Sequence, residues 1–281
     1  MPRRLRLVAA VVVSTAVSSF RYRVLGLAAE AAFWALLSLP PLLLGLVGLL
    51  GHFRGLVGAN TLLAIRAWVL TNASLVLSDH TVDTVVAPLI DEVFRGGSVG
   101  VIAASFLVAL WAGSRALYVY VLIIAIAYGL SGRRGAIRTR ALSCALYLAG
   151  LAVSVMLLPL LVAGPAAVKA LIPQIAGWVD ALYWPVIVVA SVAALTSLYT
   201  VTVPARVRWL RGLAGAAAAV GIWIVGSYAL RAYLGSGYGG SAIYQSLTAP
   251  IAILLWLYLT SLAILIGAAL NAEIDKRFRP E

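Results

Sequence analysis

"SFLVALWAGSRALYVYVLIIAIAYG", residues 105–129, is an apolar run with one permanent charge, Arg115, near its middle. A helix on the surface of a soluble domain keeps a polar stripe at a 3.6-residue period. Here apolar side chains occupy every face. A run of roughly 20 such residues is what a helix needs to cross the hydrocarbon of a bilayer. Arg115 then sits in lipid, and its presence there demands a physical reason.

The whole chain shares this solvent. Apolar residues make up 63% of its 281 residues and charged residues 11%, and the mean hydropathy is +1.05. Soluble domains carry about 25% charged residues; this composition cannot surround a core of this size with a polar surface. Six runs are long enough to span, at about 24–51, 98–128, 141–163, 179–203, 212–234 and 249–272. They are continuously apolar, unlike the short alternating segments of a transmembrane barrel. The expected fold is an all-α polytopic membrane protein forming one integral domain over residues 1–281.

The net charge of +12 is distributed as a topology signal, which argues against a nucleic-acid partner. Arg3, Arg4, Arg6, Arg21 and Arg23 precede the first span. Arg133, Arg134, Arg138 and Arg140 separate spans two and three, and Arg206, Arg208 and Arg211 separate four and five. Lys276, Arg277 and Arg279 follow the sixth. The alternate connections hold Arg54, Arg66, Arg95, Lys169 and Arg231, with Asp79, Asp83, Asp91, Glu92 and Asp180. Basic residues collect on the cytoplasmic side of membrane proteins, so both termini are expected in the cytoplasm. The preference for Arg over Lys and the abundance of Ala, Gly, Val and Leu point to a high-GC bacterial genome and a bacterial inner membrane. Membrane lipids, anionic ones included, are the expected partners; self-association into a homo-oligomer is left open.

Residues 1–23 read as a cytoplasmic interfacial helix rather than a cleaved leader, since cleavage would strand Arg21 and Arg23 on the outer side. The connection 52–97 reads as an outer helical segment. Val82, Val85, Val86, Leu89, Ile90 and Val93 recur on one helix face, and "TLLAIRAWVL" (61–70) before them also reads as helical. Pro40 and Pro41 stand inside the first span, where each removes a backbone donor, and are expected to break that helix toward the protein interior. "GSRALYVYV" from Gly113 resembles "GSYALRAYL" from Gly226, a likeness that inverted repeats would produce and that Ala/Leu-rich helices also show by chance.

Chemistry-bearing residues are few. His52 and His80 fall on the outer side, and Asp79, His80 and Asp83 match no metal-ligand spacing with a mechanism behind it. Cys144 stands alone. No phosphate-binding, dinucleotide, zinc-protease or nucleophile-elbow motif occurs, so no enzyme, metal or cofactor is expected. What remains are polar groups in or near hydrocarbon. Glu30 lies roughly 9 Å into the first span at 1.5 Å per residue. Arg115 is near the middle of the second, and Asn271 and Glu273 close the sixth. A central Arg costs about 2.5–3.5 kcal/mol on insertion scales. A carboxylate such as Glu30 or Glu273, a wet cavity or an anionic ligand must offset that.

The stretches "LAAEAAFWALLSLPPLL", "WAGSRALYVYV", "GRRG", "LPLLVAGP" and "YQSLTAPIAILLWLYLTSLAILIGAALNAEI" resemble the YihY/BrkB family of bacterial inner-membrane proteins from about residue 20 onward. The family more often shows "GAELNAE" where this chain has Ala269 in Gly267-Ala268-Ala269-Leu270-Asn271-Ala272-Glu273. The resemblance implies six spans. It implies no single activity: members have been labelled ribonuclease BN, serum-resistance or virulence factor, and transporter of lipid-like molecules. Ribonuclease activity is not expected, because the cytoplasmic connections are short and nearly free of acids. The expected function is a transporter or flippase-like carrier of an amphiphilic, anionic lipid-type substrate. The competing class is a non-transporting membrane scaffold that organises envelope partners.

The charge distribution makes a direct prediction. With Cys144 replaced, Ser98→Cys should react with a membrane-impermeant maleimide in intact cells, and Gly135→Cys should not. Labelling of Gly135→Cys from outside would overturn the assigned orientation.

Overall fold

A peptide group in hydrocarbon has no water to bond, so a spanning backbone must satisfy itself, and a helix does so within one segment. The computed structural model describes residues 3–52, 63, 66–67, 70–71, 82–94, 99–171, 176–204, 208–235 and 242–278. Among them the regular structure is helical throughout. The helices are α1 (Arg3–Arg21), α2 (Val24–His52), α3 (Ala87–Phe94, entered through a π turn at Val82–Val86), α4 (Val99–Ala127) and α5 (Ala136–Leu171). They continue as α6 (Ala176–Thr202), α7 (Leu213–Gly235, preceded by a 3-10 turn at Trp209–Gly212) and α8 (Ala242–Phe278). Six stretches are long and apolar enough to span: Val24–Leu46, Val99–Ala127, Ala136–Ser154, Ala181–Thr202, Trp209–Leu234 and Pro250–Arg277. These are the six expected from the sequence, and the protein is a multi-pass all-α membrane protein.

The chain forms two compact units, and their boundaries fall within α2, α4, α7 and α8. The first comprises Met1–Ala31, Leu117–Gly226 and Leu259–Glu281; the second comprises Ala32–Ala116 and Ser227–Tyr258.

The first unit packs through small residues. Helices in lipid gain little from burying apolar surface, so they associate where small side chains let backbones approach. Gly215 and Ala219 on α7 form such a pair, and Ala263 and Gly267 on α8 form the other. A Cβ at Gly215 would run into the Gly267 carbonyl, and one at Gly267 into the Gly215 carbonyl and the Tyr199 hydroxyl. One helical stretch further on, a Cβ at Gly226 would strike the Leu259 side chain. The two helices therefore run antiparallel in near backbone contact. Two buried tyrosines in this unit join helices: Tyr199 donates to the Ile264 carbonyl at 2.8 Å, and Tyr120 and Ser261 share a hydrogen bond of 2.7 Å.

The start of the chain is fixed to the same unit. Ser18 of α1 donates to Glu273 at 2.7 Å, and Arg277 donates to the Ala10 carbonyl and to Ser14 at 2.9 and 3.1 Å. The hydroxyl side of α1 thus faces the end of α8. Val13, Val17 and Phe20, on successive turns, are left exposed, Phe20 to 74%. Polar side docked and apolar side outward is the arrangement of a helix lying in a membrane surface. The chain then turns at Arg23, which takes the left-handed conformation (φ 53°).

In the second unit Phe106 of α4 lies against Gly45 of α2, where a Cβ would approach its ring to 3.1 Å. The expected break at Pro40 and Pro41 does not end the helix. α2 runs through both prolines, with Pro40 exposed and Pro41 half-buried. The missing donors release only the Leu36 and Leu37 carbonyls, and the remaining bonds of a 29-residue helix carry it past the gap. In the connection between α2 and α4 the described residues among 61–71 are helical, and Val82 and Ile90 of the expected one-sided helix are buried. Arg66 grips Asp91 through two hydrogen bonds of 2.6 and 3.0 Å, which raise its pKa. Asp79 and His80 lie outside the described residues, and Asp83 is exposed.

The backbone approach of α7 and α8 is sensitive to a single side chain. Gly215→Val should lower the thermal unfolding temperature of the purified protein strongly, whereas Gly221→Ala, where a Cβ meets open space, should not. Equal stability of the two variants would contradict the packing.

Candidate functional site

Two groups of polar residues stand out on the spans, and each belongs to one unit. The first is at the end of α8. Asn271 is 1% exposed. Its side-chain amide donates to the Gly212 carbonyl at 2.9 Å, and its carbonyl oxygen accepts from the Gly215 N–H at 2.7 Å. Gly215 lies in the first turn of α7, whose N–H groups have no acceptor within their own helix. Asn271 is therefore a cap supplied from another helix. It fits because Gly215 and Gly267 allow the close approach. One turn later Asp275, also buried, accepts from Arg211 at 3.1 Å. Asn271 and Asp275 are four residues apart on one face of α8, and together they hold both sides of the 3-10 turn that leads into α7.

Glu273 points elsewhere. It accepts from Lys276 at 2.8 Å and from Ser18 of α1 at 2.7 Å. The structure thus commits the two polar residues expected at this end, Asn271 and Glu273, to joining helices. Ala269, where the resemblance leads one to expect an acid, is buried. Asp275 and Arg211 were not singled out from the sequence. The signal available was the spacing of four between Asn271 and Asp275.

The second group surrounds Arg115 in the other unit. Its guanidinium carbon lies 5.7 Å from the centre of the Trp34 ring. Trp34 in turn meets Trp111 edge to face at 5.1 Å, and Phe33 at 5.6 Å. Trp111 and Arg115 are four residues apart on α4, so both reach the same stretch of α2. Ser114 is fully buried beside them and donates to the Trp111 carbonyl at 3.1 Å. An aromatic face attracts a cation electrostatically, by about 2 kcal/mol or more where water is excluded. The stack therefore offsets much of the insertion cost of a central Arg. None of the three offsets expected from the sequence, an acid, a wet cavity or a ligand, includes this ring, which "FWALL" (33–37) places on α2. Glu30 is half-buried on α2 and belongs to the first unit.

With six apolar spans and this arrangement of polar groups in hand, the chain was compared with known proteins. The family model described as virulence factor BrkB matches residues 16–281. The chain belongs to the BrkB family. Among curated proteins and solved structures, none matches. The BrkB match covers every described span and the end of α1, including Ser18. Asn271, Glu273, Arg115 and Trp34 all lie within it.

Asn271→Ala would leave the Gly215 N–H and the Gly212 carbonyl buried without their partner. Each such orphan costs about 1–3 kcal/mol. Chemical unfolding in detergent should show a loss in that range, with Asn271→Asp intermediate because it keeps only the acceptor. An Asn271→Ala protein as stable as the parent would remove Asn271 from this structural role.

Proposed function

We propose that this BrkB-family protein is a carrier of an amphiphilic, anionic, lipid-type molecule in a bacterial inner membrane, with both termini in the cytoplasm. The observation that carries the reading is the Arg115–Trp34 stack within the spans. Stacking engages the face of the guanidinium. Its N–H groups point along its plane, the direction from which carboxylate or phosphate oxygens bind in pairs. Such a cation is pre-oriented by the ring it stacks on.

A second feature supports the apolar half of the substrate. In the first unit a groove of about 280 Å³ opens between α6, α7 and α8, lined by Leu195, Val220, Trp223, Ala263 and Ile264. Its hydroxyl-bearing rim is tied down by a hydrogen bond of 3.1 Å from Trp223 to Thr260. An acyl chain needs an apolar trough of this kind. The reading is non-enzymatic and requires no cofactor. Asn271 and Glu273 are left out of the substrate site because their hydrogen bonds join helices.

Reconstituted protein carrying fluorescent phosphatidylglycerol tests it. Wild type should speed movement between leaflets above protein-free vesicles, measured by dithionite quenching. Arg115→Ala and Arg115→Lys, in folded protein, should lose about tenfold or more, as expected when a bidentate charged contact worth about 1.5–3 kcal/mol is removed. If Arg115 is only structural, Arg115→Ala should destabilise the protein. Wild-type rates in both Arg115 variants would overturn the proposal.

A further inference from the structure

The turn between α4 and α5 builds a small polar pocket at the end of α4. The residues make it as follows. α4 ends in a glycine-dependent stop: Gly129 is left-handed (φ 68°), its N–H bonds back to the Ile126 carbonyl at 2.9 Å, and Leu130 bonds back to Ala125 at 2.9 Å. This paired pattern closes helices where a glycine follows the last turn. Gly132 is left-handed again (φ 80°), and the chain doubles back so that Arg134 reaches the end of α6. There Arg134 donates to the Thr202 carbonyl at 3.2 Å. Between turn and helix lies a cavity of about 40 Å³ whose polar lining is Ser131, Arg134, Thr139 and Thr202. A water molecule needs roughly 10–15 Å³ measured this way, so the space exceeds one water.

Thr202 is the informative member. A hydroxyl inside a helix ordinarily bonds to the carbonyl four residues back. Thr139, Ser143, Thr196, Ser197 and Thr200 all do so, at 2.7–3.1 Å. Thr202 is 0% exposed, yet its hydroxyl has no hydrogen-bond partner among the described residues. A buried hydroxyl left unbonded costs about 1–3 kcal/mol, and Thr202 is, with Arg134, one of the residues that line the cavity. Arg134 has five N–H donors and spends one on Thr202. The groups that meet here are thus a permanent cation and a hydroxyl able to donate. The α4 and α6 spans end at this level and the α5 span begins there, with Arg133 and Arg138 exposed nearby.

We propose that this pocket binds a phosphate oxyanion, with Arg134 pairing one oxygen and the Thr202 hydroxyl donating to another. The α-helical spans end where lipid phosphates lie, so a phospholipid headgroup and free phosphate are the two sources of that chemistry. The site does not depend on the carrier reading; a stationary protein would hold the same ligand.

Native mass spectrometry of the full-length protein, offered phosphatidylglycerol and a phosphate-free galactolipid with the same chains, tests the site. Wild type should retain phosphatidylglycerol with a preference of about tenfold, the equivalent of one charged contact. Arg134→Gln and Thr202→Val should each cut that preference about fivefold or more, while Thr202→Ser and the exposed control Arg133→Gln keep it. In galactolipid alone Thr202→Val should not lower the unfolding temperature, since it removes a hydroxyl without a protein bond. If Arg134→Gln fails to fold, the Thr202→Val and Thr202→Ser pair decides. Stabilisation of wild type but not of Thr202→Val by about 10 mM inorganic phosphate in galactolipid, with no lipid preference, would also support the site and assign it to the free ion. Thr202→Val binding both phosphate sources like wild type would overturn the proposal and leave the pocket to water. Loss in Arg133→Gln equal to that in Arg134→Gln would overturn it in favour of diffuse surface charge.

Discussion

Hydrocarbon offers a peptide group nothing to bond to, and the rest of this structure follows from that constraint. Within a helix the constraint is met automatically. It fails at helix ends, where the first N–H groups and last carbonyls lack partners. Three described ends near the spans show distinct remedies. α4 stops with a left-handed Gly129 whose turn folds its own N–H groups back. α6 stops with its Thr202 carbonyl accepting from Arg134. α7 begins with the Gly215 N–H held by Asn271 of α8. The last is the most demanding, because a side chain from another helix can act as a cap only if the two backbones nearly touch. Gly215 and Gly267 provide that approach, so glycine packing and capping are one device.

The same constraint sorts the polar residues by role. Those whose hydrogen bonds end on backbone groups of a neighbouring helix, such as Asn271 and Tyr199, complete the scaffold. Glu273 and Asp275 tie α8 to α1 and to the turn before α7. Arg115 is different in kind. The face of its guanidinium lies over the Trp34 ring, and that aromatic contact offsets part of the cost of keeping a cation in lipid.

Much of the fold was legible because hydropathy and charge act over whole segments. All six spans could be read from residue type alone. The roles of single residues could not. Asn271 and Glu273 looked like members of an intramembrane site because they are polar and close a span. Only the three-dimensional course of α1 and α7 shows which atoms they meet. The prolines of α2 misled for a related reason: a local rule counts two lost bonds, whereas the helix is decided by the many bonds on either side. Trp34 was overlooked because a tryptophan in an apolar run reads as packing until a cation is seen over it. Thr202 carried no sequence signal at all, since five neighbouring hydroxyls of the same kind are satisfied in the ordinary way.

The central claim is that a cap supplied by α8 satisfies the start of α7. Amide hydrogen exchange of the intact protein in lipid discs, resolved at Gly215, measures it most directly. The account predicts that the Gly215 amide, at the first turn of its helix, exchanges as slowly as amides in the middle of α7, and that Asn271→Ala releases it selectively. Rapid exchange at Gly215 in the parent protein, like that of an ordinary frayed first turn, would contradict the account.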